Sequence, residues 1–315
     1  MQPSSHTAHT NATHTAATLQ PLQGIRILSL ALNLPGPAAL LRCHRMGAQC
    51  SKLEPLATAS QPSADPMHAY SPAAYAQLHD GITLLQANLK TEAGQALLHQ
   101  QLAQTDVLLT SFRPSALAKL GLEWDSLHTQ HPQLCMVRIF GSTQPAEADH
   151  AGHDLTYQAE AGLTDHGQLP ASLFADMTGA VMASEAVLQV LMARARSNAG
   201  YCLDIGLAQA AQWLALPRQW QMTTAQGDVG GAHAGYRMYR CQDGWVALAA
   251  LEPHFALRIC QAVGLTDCNG SVPQMRTPAV HAAIETFMQG HRRSHIAAMA
   301  AQSDIPLHLI ADHPE

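Results

Sequence analysis

The chain has 315 residues, 47% of them hydrophobic and 13% charged, with 17 Lys and Arg against 23 Asp and Glu and a formal net charge of −6. That length and apolar content suit a globular protein with a substantial core, arranged as one large domain and a smaller one. So few basic residues argue against nucleic acid or a membrane surface as a partner, and an anionic ligand must be met by a few local cations and backbone amides.

The opening MQPSSHTAHTNATHTAATL has neither a basic start nor an apolar stretch, so residues 1–19 read as a disordered Thr/Ala/His tail and not as a secretory signal. Order begins at LQGIRILSLAL, residues 22–32, where Ile25, Ile27, Leu28 and Leu30 predict a buried strand. NLPGP follows as a turn, AALLRCHRMGA as a helix and QCSKLEP, residues 49–55, as a second strand. Strand, turn, helix and strand make a βαβ unit and predict a parallel sheet.

TEAGQALLHQQLAQ, residues 91–104, has helical period from Thr91 on, and DVLLTSF and LCMVRIFG (134–141) read as further strands. The first half is therefore a Rossmann-like open α/β sheet, with its ligand expected at the carboxyl ends of the strands. The dinucleotide fingerprint GxGxxG is missing after the first strand, where LNLPGP stands, which argues against NAD or FAD. ADMTGAVMASEAVLQVLMARAR, residues 175–196, predicts a long helix with Asp176 at the N-cap and Gly200 just past the end. No apolar run reaches the roughly 20 residues of a membrane helix.

TTAQGDVGGAHAG, residues 223–235, is the best linker candidate. YRMYRCQDGWVALAALEP reads as two strands around a Gln-Asp-Gly turn and opens a smaller α+β domain over 236–303, after a large domain over 20–222. The seven cysteines form no CxxC pair and stand mostly among apolar residues, as reduced core thiols of a cytoplasmic protein would.

Several residues carry chemistry in principle. AGHDLTYQAEAGL places His153 beside Asp154, but a lone His-Asp pair is common and the chain has 19 histidines. Asp176 at a helix start faces free N–H groups and the positive end of the macrodipole, which a plain cap would also do. Gly179, one turn on, would let a ligand approach the backbone. Glu252 interrupts an apolar run before a proline and sits at a strand end, where a surface glutamate is the bland reading.

Taken together, the segments resemble the class III CoA-transferase family, and within it the α-methylacyl-CoA racemase-like branch. LQGIRILSLALNLPGPAALL and MGAQCSKLEP are similar to its opening strand, helix and second strand. NLKTEAGQALLHQQLAQTDVLLTSFRPSALAKLGL is similar to its CoA-binding stretch, and AGHDLTYQAEAGL, FADMTGA and DGWVALAALEPHF to the segments of the racemase active site. The likeness runs in order over roughly residues 20–312.

The resemblance implies an acyl-CoA thioester substrate, CoA being part of that substrate, with no metal or organic cofactor. Both branches place an essential aspartate at Asp176. In the transferases it attacks the thioester and becomes a mixed anhydride; in the racemases it is one of two acid/base groups, the other being the histidine of a Gly-His-Asp motif. Gly152-His153-Asp154 therefore tilts this chain towards racemisation or epimerisation of a 2-methylacyl-CoA-type thioester through an enolate. A CoA-transferase and a catalytically silent acyl-CoA-binding relative are the alternatives.

The same resemblance implies that Glu252, or else Asp154, orients His153. Asn88, Lys90, Ser111, Phe112, Arg113 and Lys119 become CoA contacts, with the cations on the phosphates. It further implies an interlocked homodimer closed by a return segment, of which residues 304–315 are the start. Taking the α-proton of a thioester needs stabilisation of the enolate oxygen, and the N–H groups opening the Asp176 helix are expected to supply it.

Overall fold

The computed structural model describes residues 19–58, 62–165 and 167–311; the tail expected over 1–19 lies, apart from Leu19, outside the described residues. The chain divides into two compact units, Met1–Trp213 and Leu214–Glu315.

In the first unit six strands form a parallel sheet: β1 (Arg26–Ser29), β2 (Gln49–Glu54), β3 (Thr83–Gln86), β4 (Val107–Thr110), β5 (Cys135–Phe140) and β6 (Cys202–Gly206). Their order is β3-β2-β1-β4-β5-β6, so the chain winds one way from β1 to β3 and the other way from β4. A crevice opens at such a reversal, outside the carboxyl ends of β1 and β4.

The central strands are covered on both faces, which is why they read as nearly unbroken apolar runs. Ile27, Val107, Leu109, Val137 and Ile139 pack on one side with the helix Pro35–Arg45 and the long helix Phe174–Ser197. Leu28, Leu108 and Met136 pack on the other with Leu98, Leu102 and Leu117. Thr91 caps its helix as expected, its hydroxyl accepting the Gly94 N–H at 3.2 Å.

The long helix departs from expectation in three ways. It starts at Phe174 with Leu173 as the N-cap residue, so Asp176 lies within the first turn and is not the cap. Its left-handed end is Asn198 at φ 58°, while Gly200 is glycine because a Cβ there would stand 1.9 Å from the Leu134 carbonyl oxygen. Its 24 residues are also long and apolar enough, by length and composition alone, to cross a membrane. Ala180, Ala183, Ala186, Val187 and Val190 nevertheless face the core of this unit.

The second unit carries an antiparallel sheet in the order β7-β8-β9: β7 (Tyr236–Cys241), β8 (Gly244–Ala249) and β9 (Leu307–Ile310). Its core gathers Val246, Leu248, Ile259, Ile284, Met288 and Ile296. Two expected boundaries are corrected here. Residues 223–235 are not a linker but part of this unit, fastened by Asp228 to Arg276 at 2.7 Å, by His281 to the Ala232 carbonyl at 3.0 Å and by the Ala234 N–H to Met275 at 2.9 Å. Residues 307–310 are not the start of a return segment, because β9 is the third strand of the small sheet, paired with Trp245–Leu248. Cys260 and Cys268 stand side by side in the core of the same unit, with Cα atoms 6.0 Å apart.

Candidate active site

Two turns form the crevice at the strand reversal. After β1 the chain runs through Leu32, Asn33 and Leu34 into the helix Pro35–Arg45; after β4 it runs through Ser111, Phe112 and Arg113 into the helix Pro114–Leu120. Both helices open on proline, which has no N–H to leave unpaired at that position. Ser111 Oγ accepts the Leu32 N–H at 3.1 Å and links the turns. A cavity of about 220 Å³ lies there, lined among others by Asn33, Ser111, Arg113, His153, Tyr157 and Asp176.

His153 precedes the helix Asp154–Glu160 in an extended conformation, φ −140° and ψ 167°. Thr156 locks that entry: its hydroxyl oxygen accepts the His153 N–H at 3.1 Å and donates to the His153 carbonyl at 2.7 Å. The His153 side chain is exposed and borders the cavity.

Asp154 points elsewhere. It is buried, with Oδ1 accepting the Asp176 N–H at 3.0 Å and Oδ2 accepting from the Gln158 side-chain amide. Its carboxylate therefore serves the start of the Asp176 helix, which corrects the expectation that it orients His153. The expected enolate donors change as well: the Asp176 N–H is taken by Asp154 and the Met177 N–H by the Leu173 carbonyl.

Burial, and then the Asp154 charge, push the Asp176 carboxyl up from 3.8 to about 7. A carboxyl at that value is divided between its two forms near neutrality and can both take and give a proton. Asp154→Asn keeps an acceptor for the Asp176 N–H while removing the charge. We expect the Asp176 titration to move down from about 7 in that variant, followed by the ¹³C shift of the carboxyl carbon.

Tyr157 was not singled out by the sequence reading. It follows His153 by one helical turn and lines the same cavity. A Cβ at Gly141 would stand 2.4 Å from its hydroxyl and one at Gly152 2.5 Å, so both glycines make room for the ring. Burial, and then the nearby Asp176 charge, hold its phenol above the ordinary range and keep it a hydrogen-bond donor. Gly179, by contrast, does not open the backbone to a ligand, since a Cβ there would meet Leu207 Cδ2 at 2.4 Å.

The expected CoA contacts fall into three places. Ser111 and Arg113 line the first cavity, while Asn88, Lys90 and Phe112 line a second of about 350 Å³, together with Pro55 and Leu120. Lys119 is exposed on the last turn of its helix, outside both linings. Glu252 belongs to the second unit, as the N-cap residue of the helix Pro253–Ala262. Among the described residues one group of metal-ligand type comes together, Glu54, Asp65 and His79, and Lys52 Nζ already sits among them.

Residues 22–315 match CoA-transferase family III. The chain belongs to that family. It is 29% identical over 271 residues to the succinyl-CoA–D-citramalate CoA-transferase of Chloroflexus aurantiacus, covering 78% of this chain and 65% of the relative. It is 26% identical over 261 residues to the α-methylacyl-CoA racemase of Mus musculus, with the same coverage of 78% and 65%. The chain thus spans 65% of the length of each of these two relatives. The crystal structure of Rv3272 from Mycobacterium tuberculosis shares the fold, with a TM-score of 0.80 at 21% identity over 94% of this chain and 84% of that one. Proteins similar to this chain thus include both a transferase and a racemase.

Proposed function

We propose that this family III member racemises or epimerises 2-methylacyl-CoA-type thioesters by moving the α-proton between two bases, His153 and Asp176. The observation that carries the reading is that both side chains border one cavity and that the carboxyl of Asp176 sits at about 7. Inversion needs one group to remove the proton on one face of the carbon and a second, already protonated, to deliver one on the other. A carboxyl poised near neutrality fits either half of that exchange.

The enolate formed between the two steps needs donors aimed at its oxygen. With the Asp176 N–H engaged, the Tyr157 phenol and the Arg113 guanidinium are the side-chain donors of the cavity assigned to that task. The wider CoA portion is assigned to the second cavity, where Asn88, Lys90 and Phe112 gather beside the loop that also supplies Arg113.

Incubation of a 2-methylacyl-CoA in D₂O tests the reading. Deuterium is expected to enter the α-carbon without any acceptor acid, as seen by loss of the α-proton NMR signal. No exchange over a panel of branched acyl-CoAs would remove the reading.

A second reading, CoA transfer, is favoured by the several transferases among the relatives, against one racemase. In it the Asp176 carboxylate attacks the thioester carbonyl, the C–S bond breaks, CoA leaves as the thiolate, and an acyl-aspartyl anhydride remains for an acceptor carboxylate. Hydroxylamine trapping of an acyl group on Asp176 is the result that would support it.

A further inference from the structure

Lys52 is a fully buried charge in the middle of β2, with none of its side chain exposed. Its ammonium donates to Glu54 Oε1 at 2.8 Å, to Asp65 Oδ2 and to His79 Nε2 at 3.0 Å. His79 Nδ1 faces the Tyr75 carbonyl at 2.7 Å; a carbonyl only accepts, so Nδ1 bears the hydrogen and Nε2 is the acceptor. Burial, and then the Lys52 charge, keep His79 below its ordinary pKa and hence neutral. Three donated protons meet three acceptors.

This cluster is a poor device for stability alone. Taking a lysine and two carboxylates out of water is costly, and an apolar replacement of such a group is often neutral or stabilising. What the charges fix is Asp65. Its Oδ2 belongs to Lys52, while Oδ1 accepts the N–H of Asn33 at 3.0 Å and that of Met67 at 2.9 Å. Asn33 is a cavity-lining residue in the left-handed region at φ 65°, where asparagine is tolerated but not favoured. The preceding N–H, that of Leu32, goes to Ser111. Successive amides of this turn are therefore held by side chains from two other connecting segments, Asp65 between β2 and β3 and Ser111 after β4.

We infer that Asp65 is a positioning residue: clamped by Lys52, it tethers the Asn33 amide and so holds the turn after β1 in the bend that forms one wall of the cavity shared by His153 and Asp176. Through that cavity the inference rests on the proton-transfer reading, but the tether itself is measurable without any turnover.

The test compares Asp65→Ala with the double variant Asp65→Asn, Lys52→Met. Asparagine alone would have to face the Lys52 ammonium with its NH2 or give it the only oxygen; without that ammonium the NH2 can face the acceptors of Glu54 and His79, and the oxygen stays with the Asn33 amide. In Asp65→Ala, exchange of the Asn33 amide is expected to speed up at least about tenfold while the β4 amides stay protected. The kcat/KM for α-proton exchange should fall by a similar factor, whereas the double variant stays near the parent in both measurements.

Should the alanine variant not fold, Asp65→Ser serves in its place. Serine still caps the helix at Met67, but its hydroxyl is one atom too short to bridge to Asn33. Its Asn33 amide is expected to behave as in the alanine variant. Equal Asn33 exchange in the double variant and the Ala (or Ser) variant overturns the tether, as does loss of activity that merely follows the unfolded fraction. If the variants show the exchange difference but the parent protein has no turnover, the tether stands and the proton-transfer reading falls.

Discussion

Replacing Asp176 by asparagine is expected to abolish turnover and to raise the melting temperature, by more at pH 8 than at pH 5. The catalytic loss follows from removing one of the two groups proposed to exchange the proton, a change of at least about 10²–10⁴-fold in rate. The gain in stability follows from linkage. Folding moves the carboxyl from 3.8 to about 7, so between those values the folded chain binds more protons than the unfolded one and stability falls as pH rises.

The contribution is intact below about pH 4 and fully lost above about pH 7. Asparagine does not titrate, so the gap between variant and parent should widen through that window and then level off. A shift of this size corresponds to an upper bound of roughly 4 kcal/mol; because Asp176 is partly exposed, about 2–3 kcal/mol is the working figure. Melting curves taken at intervals from pH 4 to 8 measure it. A gap that does not change with pH would mean that burial and Asp154 do not raise this carboxyl.

His153→Ala is expected to slow deuterium entry at the α-carbon by about 10²–10⁴-fold, with thioester binding little changed. The variant separates the two chemistries of the family. In proton transfer the imidazole is an essential partner; in acyl transfer the nucleophile is Asp176, and an anhydride forms there without the imidazole. Hydroxylamine-sensitive acylation of Asp176 that persists in His153→Ala, together with turnover dependent on an acceptor acid, would place this chain among the transferases.

The sheet was legible because its central strands are buried on both faces. Ile27, Leu28 and Val107 to Leu109 stand out as apolar runs that no helix pattern explains. The long helix was legible from its period, but its first residue was not. Its cap is a side chain 22 positions upstream, and no local pattern around Asp176 reveals that Asp154 takes its N–H. The same borrowed cap hid the role of Asp154, which looked like a partner for the histidine beside it.

Tyr157 was passed over because its importance lies in two glycines, Gly141 and Gly152, that only the fold brings against its ring. Lys52 looked like an ordinary strand lysine, and its burial depends on Asp65 and His79 arriving from the segments between β2 and β3. The Gly-rich 223–235 stretch misled in the other direction. Glycine content marks turns, but side-chain anchors such as Asp228 on Arg276 decide whether a segment is loose.

The arrangement of Asp154 has a consequence for specificity. His153 is its covalent neighbour, and Asp176 hangs from its carboxylate by one 3.0 Å hydrogen bond. In the proposed proton transfer, that contact would keep the start of the Asp176 helix beside the neighbour of His153, and acyl chains of different bulk would occupy the rest of the cleft while the two groups stay at its one end.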